Sequence, residues 1–107
     1  MSYKFMRLML FFDLPFKTKR ERRTYTIFRK YLISKGYIMI QYSVYVKLFA
    51  NRDAAQNHVK ILKRELPKKG QIRIMIVTEK QYARMEVILG GISRQEQVIT
   101  RDVLTVL

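Results

Sequence analysis

An α+β sandwich of the ferredoxin-like type, with the element order β-α-β-β-α-β, is the fold class that this 107-residue sequence predicts. Three observations predict it. An opening apolar run lacks alternation, as a strand covered on both faces does; two later segments carry apolar residues at helical spacing; and a stretch rich in β-branched and aromatic residues lies between them. The length suits one domain, and 49% hydrophobic residues with only four Gly and two Pro exclude a disordered or low-complexity chain.

Residues 3–12 (YKFMRLMLFF) read as a central strand ended by Asp13-Leu14-Pro15. Met6, Leu8, Leu10 and Phe12 fall on one side of it, and Phe5, Met9 and Phe11 on the other. Thr18 followed by Glu21 is a capping-box pattern, so a helix is expected from there to about Ser34, stopping at Gly36. At 100° per residue Thr24, Phe28, Tyr31 and Leu32 share one side, while Lys19, Arg22, Arg23, Arg29 and Lys30 lie opposite. Residues 37–49 (YIMIQYSVYVKLF) are too long for a usual strand and read as two strands broken near Gln41-Tyr42-Ser43, one long bent strand being the alternative. Asn51 stands at an N-cap position, and Ala55, Val59, Leu62 and Leu66 predict a second amphipathic helix to about Leu66. Pro67-Lys68-Lys69-Gly70 breaks it. Residues 72–78 (IRIMIVT) predict a strand, residues 79–89 a helix through Tyr82, Met85 and Leu89 up to Gly90-Gly91, and residues 102–107 (DVLTVL) a terminal strand.

A sheet with both main helices on one face leaves its other face bare, and burying that apolar face against a second copy is the expected solution. The alternative is that the short extra helix and the tail cover it within one chain. The domain reading is a ferredoxin-like unit over 1–90 and a tail over 91–107 whose strand is exchanged with the partner protomer of a homodimer.

Charge points to a partner. There are 22 Lys plus Arg against 8 Asp plus Glu, a formal +14, and residues 1–78 carry all of the excess with 18 basic and 4 acidic residues. The remaining 29 positions hold four of each sign, so the first three-quarters of the chain is the part suited to a polyanion such as nucleic acid. With no Cys, disulfides and thiolate zinc sites are excluded. The apolar opening carries Lys4 and Arg7 within it rather than ahead of it, and no run is long enough to span a bilayer, so a cytoplasmic protein without membrane association is expected.

Among residues that could carry chemistry, Asp13 is the most informative. It ends the first strand, too early to cap the helix, and two copies near a dimer axis could share a hard divalent ion. An Asx turn ahead of Leu14-Pro15 explains the same residue, and both readings stand at this point. His58 flanks the Ala55/Val59 stripe and reads as a boundary residue rather than a general base; Ser43 has no nearby His, and there is no Gly-rich phosphate loop. Basic residues interleaved with Tyr and Phe suggest base stacking, but the aromatics fit core positions and the cations outer ones, which favours backbone contact. The aromatic signature of RNA-recognition motifs is absent from residues 43–49.

Residues 6–15 (MRLMLFFDLP), Glu21-Arg22-Arg23, Phe28-Arg29-Lys30-Tyr31-Leu32, Gly36-Tyr37, Gln41-Tyr42-Ser43-Val44-Tyr45, Leu66-Pro67-Lys68-Lys69-Gly70 and residues 77–84 (VTEKQYAR) together resemble the CRISPR-associated protein Two family, most closely its type II-A members. The resemblance implies a ferredoxin-like homodimer with an exchanged C-terminal strand. It also implies bridging of integrase dimers, with double-stranded prespacer DNA held on the basic face. It further implies a magnesium ion shared between protomers at Asp13, with metal-dependent endonuclease activity on RNA or DNA that differs among members. The candidate phosphate contacts are Lys19, Arg22, Arg23, Arg29, Lys30, Lys68 and Lys69. The alternatives are a nuclease or RNA interferase acting through Asp13, and a plain RNA-binding module.

Overall fold

Residues 5–91 are described by the computed structural model. They form β1 (Met6–Asp13), α1 (Lys19–Ser34), β2 (Ile38–Gln41), β3 (Val44–Phe49), α2 (Arg52–Leu62), β4 (Gln71–Thr78) and α3 (Glu79–Ala83). The four strands make one sheet in the order β2-β3-β1-β4, every neighbouring pair antiparallel, as the ferredoxin-like reading requires. β1 lies inside the sheet, which is why its sequence is apolar on both sides.

Leu8, Leu10 and Phe12 of β1 are buried with Phe28 and Leu32 of α1, Leu62 of α2, Tyr37 and Tyr45. This is the main core. α1 opens on a full capping box: the Glu21 backbone N–H donates to the Thr18 hydroxyl at 3.1 Å, and the Thr18 N–H donates to the Glu21 carboxylate at 3.0 Å. It closes on a Schellman arrangement, with Gly36 N–H to the Ile33 carbonyl at 3.1 Å and Tyr37 N–H to the Leu32 carbonyl at 3.0 Å. That geometry needs Gly36 at φ 91°, a left-handed value that costs glycine little. Tyr42 and Ser43 form the turn between β2 and β3, and Ser43 itself takes φ 62°.

Four expectations change. Thr24 is exposed, and Tyr25 turns inward instead, its ring edge-on to Phe12 at 5.5 Å; an apolar ring outcompetes a hydroxyl for the buried position. α2 ends at Leu62 rather than Leu66, the Arg64 and Glu65 N–H groups closing tight turns onto the Ile61 and Leu62 carbonyls. Pro67 disfavours helical backbone at Leu66, whose side chain is exposed. α3 stops at Ala83 because only Tyr82 of its apolar series finds a surface; Met85 is exposed and Leu89 is 93% exposed. β1 takes in Asp13, which pairs with Gln71. The strand expected over 102–107, and its exchange with a partner, lie outside the described residues.

α3 packs on the sheet face opposite α1 and α2. Tyr82 is buried with Ile38 and Val46, and Met9, Ile40 and Val77 pack against them. The anchor is Arg7, fully buried and held by Glu79 through two bonds, Nε–H to Oε2 at 2.6 Å and Nη2–H to Oε1 at 2.9 Å. Its guanidinium carbon also stands 4.3 Å from the centre of the Tyr82 ring, a cation–π arrangement. The face expected to be bare is thus partly covered by the chain itself. Phe11 and Met75 remain exposed on it.

Candidate nucleic-acid interface

A helix carrying cations three and four residues apart presents them as one stripe. On α1 the exposed Lys19, Arg20, Arg22, Arg23 and Lys30 line one shallow depression with Thr26 and Ile27, and no acid is among these residues. Four of the expected phosphate contacts are therefore brought together. Arg20 was not expected; its place three residues before Arg23 is the signal that could have revealed it. Arg22 is braced, its Nη1–H donating to the Lys17 carbonyl at 2.7 Å. Arg29 is exposed but does not line this depression; its Nε–H donates to the Tyr45 hydroxyl at 3.0 Å.

Lys68 and Lys69 sit elsewhere. They line a second depression of about 410 Å³ between the start of α1 and the α2–β4 connection, together with Leu14, Pro15, Glu21, Leu66 and Arg20, which borders both depressions. The Glu21 carboxyl is held below its usual range chiefly by the Thr18 backbone N–H, with Lys17 N–H and the charge of Lys69 adding to the effect. Gly70 ties the Lys68-Lys69 loop to the end of β1. A Cβ there would stand 2.6 Å from the Asp13 carbonyl oxygen and 2.7 Å from Leu14 Cδ2, and φ is 102°.

Asp13 is exposed, and by strand alternation it shares the helix-free side of β1 with Met9 and Phe11. Among the described residues no group of three or more His, Cys, Asp or Glu gathers to hold a metal. One carboxylate suits magnesium only where the ion keeps most of its waters and a further carboxylate comes from a second copy. His58 belongs to another place, packed between the rings of Tyr37 at 5.6 Å and Phe49 at 5.3 Å. Phe49 pairs with Met6, at the opposite end of β1 from Asp13, so His58 is no base for a reaction there. Burial, then the charges of Lys47 and Lys35, press its pKa below the usual value. No helix among the described residues is long and apolar enough to cross a membrane.

The family model described as CRISPR associated protein Cas2 matches residues 6–85. Three curated relatives carry the name CRISPR-associated endoribonuclease Cas2. That of Acidovorax ebreus is 48% identical over 85 residues, covering 79% of this chain and 83% of the relative. That of Treponema denticola is 46% identical over 102 residues, covering 95% of this chain and 100% of the relative. That of Ligilactobacillus salivarius is 51% identical over 85 residues, covering 79% and 84% respectively.

Proposed function

The chain belongs to the Cas2 family of CRISPR-associated proteins, and on that premise we propose that it acts in the cytoplasm as a homodimer that grips double-stranded prespacer DNA by its phosphates and bridges integrase subunits during spacer acquisition. The acid-free cationic stripe on α1 carries this reading. Duplex DNA bears a negative charge about every 1.7 Å of its axis, so a row of long, exposed cations gains by displacing its counterions. The exposed Phe11 and Met75 on the helix-free sheet face support pairing with a second copy.

The relatives' shared name and the exposed strand-end Asp13 favour a second activity, metal-dependent cleavage of RNA or DNA. A magnesium ion would supply charge neutralisation at the scissile phosphate and an acidified water. Asp13 would hold that ion from each protomer, and the adjoining Lys68-Lys69 loop would steady the substrate backbone. One set of variants tests both readings. Replacing Arg22 and Arg23 with Gln should weaken binding to all duplex sequences alike, and a changed order of preferred sequences would contradict phosphate contact. Asp13→Ala should abolish cleavage while leaving duplex affinity intact; undiminished cleavage would remove Asp13 from the chemistry.

A further inference from the structure

At the end of the sheet where β1 finishes, three aromatic rings form a run whose two outer members, Phe16 and Tyr42, are exposed and whose middle one, Tyr25, is half-buried. Phe16 is 55% exposed and Tyr42 is 66% exposed, values unlike those of the core aromatics Phe12, Phe28 and Tyr45. Tyr25 links the two. Its ring centre lies 6.3 Å from Phe16 and 6.4 Å from Tyr42, with the two tyrosine planes only 20° apart. The inner edge of Tyr25 rests on Phe12, so the run is anchored in the core at one point and open to solvent elsewhere. The neighbouring Tyr25, ahead of burial and of Tyr45, raises the pKa of Tyr42. Its backbone is fixed: it sits in the two-residue turn whose Ser43 carbonyl accepts the Phe12 N–H at 3.1 Å.

The surroundings are cationic. Tyr25 stands on α1 three residues after Arg22, a member of the cationic row, whose guanidinium is held against the Phe16 and Lys17 carbonyls. Exposed aromatic faces next to a row of cations are the combination that binds single strands, since every base has a π-face and every nucleotide a phosphate. We infer that Phe16, Tyr25 and Tyr42 form a stacking platform for an unpaired nucleobase, reached by a strand that leaves the duplex held on α1.

This site rests on the nucleic-acid-binding reading, and the test separates the two. The full chain is titrated with a blunt duplex, the same duplex carrying single-stranded overhangs with 2-aminopurine in the first unpaired position, and the single strand alone, each as DNA and as RNA. The wild type should bind the overhang substrates more tightly than the blunt duplex and change 2-aminopurine fluorescence on binding. Tyr42→Ala should weaken overhang binding by about 5- to 150-fold, the range for one lost base stack, and leave the blunt duplex unaffected. Tyr42→Phe keeps the ring and should retain the preference. Equal loss on blunt and overhang duplexes, or no loss on either, overturns the platform while leaving phosphate binding standing. A wild type that binds none of these substrates overturns both.

Discussion

Arg7 is the residue on which the second sheet face turns. A charge inside a central strand must be neutralised or it does not stay buried, and Glu79, 72 positions away, meets it with both oxygens. Removing one partner of such a pair leaves an uncompensated buried charge, so Glu79→Gln is expected to destabilise the fold by about 3–5 kcal/mol in urea unfolding. A loss well under 1 kcal/mol would mean that water already solvates Arg7. His58 gives a second residue-scale prediction. Burial beside Tyr37 and Phe49, with Lys47 and Lys35 nearby, holds its folded pKa below the usual 6.5. The folded state therefore binds fewer protons than the unfolded chain as pH falls through 6.5 and below. Stability contributed by neutral His58 is complete above that pH and is lost as pH falls through the folded pKa. Between pH 7 and pH 5 the wild type should lose stability, and His58→Leu should flatten that limb; an unchanged slope would assign it to the carboxylates. Neither residue's role was legible in the sequence. Arg7 was visible only as a charge in an apolar run, because nothing local names a partner 72 residues away, and His58 was read rightly as a boundary residue without its ring neighbours.

At the scale of elements, α1 shows what a sequence can display. Its start, its end and its two faces follow from Thr18, Glu21, Gly36 and a 3.6-residue period, all of them local signals. Thr18→Ala should cost about 0.5–2 kcal/mol by thermal or urea unfolding, since it removes the acceptor for the Glu21 N–H; no loss would deny the cap its role. The elements misjudged in extent are those whose ends are set elsewhere. α2 and α3 were drawn too long because apolar spacing continues past the surface that buries it: Leu66 meets Pro67 and Leu89 meets nothing. The same reason explains the aromatics. Most aromatics fit core positions by pattern, and only the fold shows that Phe16 and Tyr42 lie beyond the reach of the core. The candidate site was legible in Lys19, Arg22, Arg23 and Lys30, which share one helix face. The bond of Arg29 to Tyr45 was not legible there, because it reaches a strand that the helical wheel does not contain.

In the whole molecule the α1 cations lie on one side of a four-stranded sheet, and exposed Phe11 and Met75 lie on the other. The formal charge of +14 makes association with a polyanion favourable at low salt, but it is the clustering on α1 that makes a duplex the fitting partner. The salt dependence of duplex DNA binding tests this claim most directly, measured on two duplexes of unrelated sequence over a range of KCl concentrations. Four to six phosphates contacted per chain, eight to twelve per homodimer, predict a slope of log Kobs against log [KCl] of about −7 to −11 for the dimer, the same for both duplexes. A slope shallower than about −1, or affinities that part company between the two sequences, would contradict it.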